Sequence, residues 1–439
     1  MRETRELMIN AAEVEAERGH RREVYLLVIG GVFFAVNLLS LQLVRGDFSP
    51  LHWLPLVAWI LCAAAGHVIL RRALPDHDPL LLPLVLFMSG WGMIVIDRLQ
   101  PAFADRQAVW LLVSQVALLF TAVTPYPLRW LRQYRYLILI SGLLFLLATI
   151  GFGTNPSALA GAPRLWLNVF GLYFQPSEVL KIVLVAFVAS YLAENYTIIR
   201  ADQPSARRGL FLSPRIAGPI LLMWGLTLVI LVWQRDLGAA ALFFITFMVV
   251  LYLASGVRLI LVAGAGLLAA AGLLAYVLFD LVRLRVDIWI NPWPEASDRA
   301  YQIVQSLMAV ANGGVLGQGI GQGSPYFIPV AHSDFLFSAL AEEFGLIGVA
   351  TLIAAVTVFV LRGLRTALLN ADTPFHSLFA AGLTTIIAGQ TLLIVGGALK
   401  IIPLTGVTLP FMSYGGSSLL ASYIMVGFLL RLSSQDYRH

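Results

Sequence analysis

Charge is what this chain has least of. Lys, Arg, Asp and Glu make up 12% of its 439 residues and hydrophobic residues 59%, which leaves too little polar surface for a soluble chain of this length. The mean hydropathy of +0.83 agrees. Cysteine is almost missing: the single Cys62, inside an apolar run, excludes an intramolecular disulfide framework and any cysteine-based metal site. No segment reads as a soluble domain. The longest cytoplasmic loop expected, about residues 194–214, is an arginine-bearing linker with Pro204 and Ser205. A cleavable leader is not expected, because the first apolar run is too long and lacks a small-residue cleavage pattern.

Apolar runs of membrane-spanning length are what the chain does have. They begin near Val24, Leu51, Pro79, Gln107, Tyr136, Pro176, Pro214, Gly238, Val257, Asp334, His376 and Gly416, which makes about twelve spans on the usual length criterion. The expected fold is therefore an all-α polytopic membrane protein. With a cytoplasmic N-terminus, about two thirds of the 29 Lys and Arg fall on inside segments, as the positive-inside rule requires. Both termini are then cytoplasmic. The net charge of +5 is accounted for by these arginines, so no nucleic-acid partner is implied. Residues 1–23, charged in both signs, read as a cytoplasmic amphipathic helix.

One stretch breaks the pattern. From Asn291 to Gly345 the chain is polar, glycine-rich and acidic, and a long ordered excursion between two spans is usually functional. Leading in, Arg283 and Arg285 stand near the outer bilayer surface, followed by Trp289 and Trp293 as interface anchors and by the carboxylates Glu295 and Asp298. A helix over about Tyr301–Gly314 groups Gln302, Gln305 and Ser306 on one face, as a substrate surface or simply a solvated one. The run GGVLGQGIGQGS is no P-loop, since no Lys-Ser/Thr follows it; its glycines suit close approach to a ligand, or a plain flexible loop. His332 and Asp334 then mark the mouth of the next span, with Glu342 and Glu343 about two turns deeper. Acidic groups thus converge on one outer vestibule, although a His beside an Asp is more often structural.

Two further segments carry polar chemistry at membrane depth, where an ionisable side chain is a functional candidate by default. In QPSEVLK, Glu178 and Lys181 share one helix face, as a packing salt bridge or as a patch meeting a charged headgroup. Before it, GAPRLWLNVFGLYFQ is too short to cross and reads as an interfacial or re-entrant segment whose Arg164 suits an anionic headgroup. Near the C-terminus PLTGVTLPFMSYGGSSLL breaks the helix pattern, and such backbone is tolerated where it lines a cavity or is buried in protein. Its hydroxyls include Ser413.

QPSEVLK, QRDLG at Gln234–Gly238, NPW with YQIVQS, GQGIGQG, HSDFLFSALAEEFGLIG and LPFMSYGGSS occur in this order, and the chain so marked resembles the SEDS (shape, elongation, division and sporulation) proteins of the RodA/FtsW type. The resemblance spans about Asp78 to Leu432. It implies a ten-helix membrane glycosyltransferase core over residues 78–432, with an outer catalytic loop at about 280–334 and a short cytoplasmic tail at 433–439. Residues 24–77 would add two extra spans. The implied activity is polymerisation of lipid II at the outer face of the cytoplasmic membrane, beside a class B penicillin-binding transpeptidase. The family's essential aspartate falls on Glu295 here, which puts the base in doubt: Glu295 serves, or Asp298 replaces it, or catalysis is impaired. Arg164, Lys181, Arg283 and Arg285 are the candidates for the diphosphate, with a divalent cation such as Mg or Mn as a possible helper. Glu178, Gln302, Gln305, Ser306, His332, Asp334 and Ser413 complete the expected substrate surface. A flippase for lipid-linked precursor and a non-catalytic scaffold for a transpeptidase are the rival readings.

Overall fold

In hydrocarbon only a helix satisfies all the backbone N–H and C=O groups of a single spanning segment, and the apolar runs fold accordingly. The computed structural model describes residues 2–155, 164–169, 171–201 and 214–434. In chain order the helices are α1 (Arg2–Arg45), α2 (Leu54–Ala73), α3 (Leu81–Leu99), α4 (Pro101–Val123), α5 (Tyr126–Gln133) and α6 (Arg135–Phe152). After a hairpin of β1 (Leu167–Val169) and β2 (Leu172–Phe174) come α7 (Pro176–Glu194), α8 (Tyr196–Ala201), α9 (Pro214–Trp233), α10 (Leu237–Ser255), α11 (Leu259–Leu278) and α12 (Asp280–Ile290). The chain ends with α13 (Tyr301–Gly313), α14 (Leu336–Leu369), α15 (Pro374–Ala398) and α16 (Gly416–Ser433). Among the described residues 11 helices are long and apolar enough to cross a membrane. The remaining expected run is occupied by α9, of 20 residues.

Helices α3, α7, α15 and α16 are largely buried. Around them α4 packs along α16 and α2, α14 along α15, and α10 against α7 and α15. By contrast α11 is exposed along nearly its whole length, with Leu267, Leu273, Leu274 and Val277 facing outward, the surface expected of a lipid-facing helix. The pair α1 and α2 packs on α3 and α4, held in part by the Trp59 indole donating to the Leu86 carbonyl at 2.7 Å.

Polar contacts between helix ends define two faces. On one, Arg45 at the end of α1 pairs with Asp97 of α3 at 3.0 Å, and Ser417 of α16 accepts from the Gln175 N–H ahead of α7 at 3.0 Å. On the other, Asp78 before α3 meets Arg362 of α14 at 2.5 Å and Ser433 of α16 at 3.0 Å. The excursion belongs to the first face.

Two local expectations gain detail. The segment read as interfacial or re-entrant is, over its described part, an antiparallel hairpin with Asn168 opposite Tyr173. Pairing two short extended pieces satisfies backbone groups that three-residue strands cannot satisfy alone. The charged N-terminal residues are no separate element, because α1 runs unbroken from Arg2 to Arg45. Most of the expected arginine-bearing linker lies outside the described residues.

Candidate functional site

The first turn of α7 carries the densest polar array. Pro176 occupies the first helical turn, where a missing N–H costs nothing. One turn further in, the Lys181 ammonium donates to Glu178 Oε2 at 2.6 Å, and both residues are buried. Ser177 links this turn to the next helix, its hydroxyl 3.4 Å from Asp236 Oδ2. Asp236 caps α10, accepting from the Ala239 N–H at 3.1 Å. Burial pushes its carboxyl upward; the Ala239 bond opposes this, the nearby Glu178 adds to it and Lys181 opposes it.

Arg285 of α12 connects the array to the excursion. Its guanidinium donates weakly to the Thr405 carbonyl at 3.4 Å. Burial lowers its pKa, while Asp334 and then Asp236 hold it up. Burial likewise raises Asp334, against the pull of the Ser333 hydroxyl and of Arg285. Gly406 sits where a Cβ would lie 3.7 Å from Arg285 Nη2 and 3.8 Å from Asp334 Oδ2, so the backbone closes directly on this pair. Asp334, Arg285, Asp236 and the Glu178–Lys181 pair thus bring three carboxylates and two cations together, with Asp236 within electrostatic reach of both Arg285 and the pair.

The broken segment between α15 and α16 holds Asp334 in place. The Ser413 hydroxyl donates to the Ser333 carbonyl at 2.6 Å and accepts from the Leu409 N–H at 3.0 Å. Tyr414 N–H donates to the His332 carbonyl at 2.9 Å, and the Phe103 ring stacks on Tyr414 at 4.4 Å and meets His332 edge-on at 4.8 Å. Burial lowers the His332 pKa. Ser413 and His332 therefore fix the approach to α14. The single hydroxyl hydrogen of Ser413 is committed to backbone, and one lone pair on its oxygen is left.

The other expected residues separate. Glu295 and Arg299 form an exposed bidentate pair at 2.7 and 3.1 Å, and Asp298 beside them is exposed. The flanking Ala296 and Ala300 pack with Ile328, Ala331 and Phe335, which seats this carboxylate-bearing loop on the segment that carries Asp334. Gln302 donates to the Pro329 carbonyl at 2.7 Å, and Gln305 is half-buried on the same helix. Ser306 is fully buried, sharing a 2.6 Å hydrogen bond with Ser338 and reaching the Ala398 carbonyl at 3.3 Å; it joins α13 to α14 and α15. Arg283 turns away from Arg285, donating to the Val277 carbonyl at 3.1 Å and lying over the Tyr276 ring. Arg164 is exposed just before the hairpin.

The glycine run and the two deeper glutamates serve each other. Gln318 and Gly319 donate backbone N–H groups to the carbonyls of Glu342 and Glu343 at 2.9 and 3.0 Å. Glu343 Oε1 accepts from Arg98 Nε at 3.0 Å and from the Gly321 N–H at 3.2 Å, and Glu342 Oε1 accepts from the Ser324 N–H at 3.2 Å. Glu342 and Glu343 are thus buried beneath the loop, and the vestibule expected to gather them has Asp334 and Asp236 instead. Sequence reasoning missed Asp236 as a site residue, although QRDLG was among the marked motifs, and missed Arg98, whose partner lies 245 positions away.

A family model described as a cell cycle protein, FtsW/RodA/SpoVE, matches residues 79–438, which takes in every element of this site. The chain belongs to the FtsW/RodA/SpoVE family. Peptidoglycan glycosyltransferase RodA of Mycobacterium tuberculosis is 37% identical over 399 residues, covering 86% of this chain and 82% of that one. Probable peptidoglycan glycosyltransferase FtsW of Geobacter sulfurreducens is 35% identical over 378 residues, covering 83% and 97%. Among solved structures, a chain of a peptidoglycan synthase complex described for its coordination of polymerization and crosslinking superposes with a TM-score of 0.68 at 26% identity, covering 83% of this chain and 99% of that one. The rod shape determining protein RodA of Thermus thermophilus gives 0.58 at 26% identity, covering 81% and 96%. Within the FtsW/RodA/SpoVE match, α1 and α2 are left out, since both precede residue 79.

Proposed function

We propose that this chain is a peptidoglycan glycosyltransferase that polymerises lipid II at the outer face of the cytoplasmic membrane. The observation that carries the reading is the charged array of Asp334, Arg285, Asp236, Glu178 and Lys181 at one end of the bundle, beside a loop bearing Glu295. In the reaction the acceptor sugar's 4-hydroxyl oxygen bonds to the donor's anomeric carbon as the bond from that carbon to the diphosphate oxygen breaks. The hydroxyl proton passes to a carboxylate and the diphosphate leaves with its negative charge. Glu295 is the general base, in a loop open enough to admit an acceptor, with Asp298 the alternative. Arg285, bound only weakly to Thr405, has guanidinium N–H groups free to turn to phosphate oxygens, and Lys181 adds a second cation. Arg164 at the rim suits a headgroup phosphate.

The array holds three carboxylates against two cations, which suits a divalent metal arriving with the diphosphate, since Mg²⁺ is commonly bound by one or two carboxylates together with phosphates. Asp334, Asp236 and Glu178 do not gather into a compact three-ligand group; among the described residues the one such group lies elsewhere, at His20, Glu23 and His77. A resident Mg²⁺ or Mn²⁺ cage is therefore not built by these residues, and no step is assigned to one. Arginine distribution supports cytoplasmic termini and an outward site, and likeness to a chain of a synthase complex supports a class B penicillin-binding transpeptidase as partner.

The test is lipid II polymerisation by purified protein with its cognate transpeptidase, comparing wild type with Glu295→Gln, Glu295→Asp and Asp298→Asn. Loss of glycan in Glu295→Gln alone is expected. Loss in Asp298→Asn with activity kept in Glu295→Gln moves the base to Asp298, and no polymer from any of these proteins refutes the enzyme reading.

A further inference from the structure

The helices outside the family match carry a cluster that the glycosyltransferase reading does not use. His20 and Glu23 lie one turn apart on α1, His67 lies on α2, and His77 lies in the turn between α2 and α3. Glu23 is fully buried. Its Oε1 is 3.0 Å from His67 Nδ1 and its Oε2 2.7 Å from His77 Nε2. The His20 ring centroid is 5.8 Å from that of His77 and 6.1 Å from that of His67. Ligand atoms of His20, Glu23 and His77 all lie within 4.8 Å of one another.

Proton positions make this arrangement informative. His77 Nδ1 lies 2.7 Å from the Leu74 carbonyl, which only accepts, so Nδ1 carries a hydrogen. In the neutral ring Nε2 is then a bare lone pair, pointed at a carboxylate oxygen that is also an acceptor. Two acceptors at 2.7 Å need a hydrogen or a metal ion between them. A second proton on His77 supplies one, but that leaves the convergence of His20 without a purpose. A metal ion uses all of it, and an imidazole whose Nδ1–H is held by a backbone carbonyl while Nε2 is free is the usual form of a ligating histidine.

We propose that His20, Glu23 and His77 form a binding site for a divalent transition metal of the Zn²⁺ type, with water completing its coordination. Imidazole nitrogens with one carboxylate favour such an ion over Mg²⁺ or Ca²⁺, which select oxygen. Tetrahedral ligands at the usual Zn–N and Zn–O lengths stand about 3.4 Å apart. Glu23 Oε2 and His77 Nε2, at 2.7 Å, are closer than that and must part to seat the ion, while all three ligand atoms lie within 4.8 Å of one another. The site also has a structural location: His77 precedes Asp78, which binds Arg362 of α14 and Ser433 of α16. The metal clamps α1 to the turn after α2 at the point where the chain enters the core, independently of the chemistry on the opposite face.

The full chain, purified in detergent without a polyhistidine tag, is incubated with Zn²⁺, desalted and assayed for bound metal. Wild type and the control His52→Ala, altered in the turn ahead of α2 and outside the cluster, are expected to retain one equivalent and to give with Co²⁺ the intense visible absorption of a four-coordinate site, whereas His20→Ala and Glu23→Gln retain at least tenfold less and lack that absorption. His20 is half-buried on a helix surface, so His20→Ala keeps the fold, checked by an unchanged gel-filtration profile. Zn²⁺ is expected to raise the Tm of wild type and not of His20→Ala. Equal retention by wild type and His20→Ala, or no retention by wild type, overturns the proposal and leaves a carboxylate shared by protonated imidazoles.

Discussion

The Glu295 carboxylate grips Arg299 through two hydrogen bonds, 2.7 Å to Nη2 and 3.1 Å to Nε, on a loop where Arg299 is 56% and Glu295 36% exposed. An exposed pair of this kind is screened by water and adds little to stability, so an incoming hydroxyl can displace the guanidinium. Arg299→Ala is therefore expected to alter polymerisation less than about tenfold and to leave the Tm nearly unchanged. Glu295→Gln is expected to cost about 100-fold or more in rate, the ordinary contribution of a general base. Initial rates of glycan formation check both; a larger loss from Arg299→Ala than from Glu295→Gln would make the arginine the functional member.

A different balance governs Glu178 and Lys181, which meet at 2.6 Å inside the bundle with side-chain exposures of 10% and 3%. Removing one partner strands the other charge, and Lys181→Met is expected to cost about 3–5 kcal/mol. The double variant Glu178→Leu/Lys181→Met removes both charges and is expected to recover most of that stability while polymerisation stays low. Thermal unfolding in detergent reads the first effect and glycan synthesis the second. Full activity in the double variant would reduce the pair to helix packing.

Much of this was legible from residue order. The apolar runs located the helices, Pro176 and the i, i+3 spacing placed Glu178 and Lys181 together, and the excursion marked the face that carries the array. What escaped sequence reading was partnership over long separations. Nothing local tells that Ser413 is committed to the Ser333 carbonyl, that Arg285 faces inward while Arg283 turns to Tyr276, or that Arg98 claims Glu343. The glycine run misled for a physical reason, because the same freedom that lets backbone approach a ligand lets it approach a helix.

That docking predicts a contrast between neighbouring glycines. Gly317 has φ +84°, and a Cβ there would collide with the Glu343 carbonyl, whereas Gly314 at φ +52° has nothing within 4 Å. At Gly314, whose ψ of −143° lies outside the left-handed helical region, an alanine meets no neighbour but a backbone cost of about 1–3 kcal/mol. Gly317→Ala adds overpacking of about 1–3 kcal/mol and is expected to loosen the loop from α14. Hydrogen exchange at Gln318 and Gly319 reads this directly: protection is lost in Gly317→Ala and kept in Gly314→Ala. Equal protection in the two would mean the loop is held from elsewhere.

Asp334 makes stability depend on pH, and the sign follows from burial. Its folded carboxyl titrates above the ordinary 3.8, so between that value and the raised one the folded state binds more protons than the unfolded state. Stability then falls as pH rises through this window. His332, lowered from 6.5 by burial, works the other way, since the folded state binds fewer protons and stability is lost as pH falls below 6.5. The two contributions are separated by difference. Subtracting the Tm profile of Asp334→Asn from that of wild type should leave a curve that declines with rising pH from about the ordinary aspartate value upward. Arg285→Gln, which removes the cation opposing the shift, should extend the decline to higher pH. A flat difference curve would show that Asp334 titrates alike in the folded and unfolded chains, and that its link to Arg285 carries no energy.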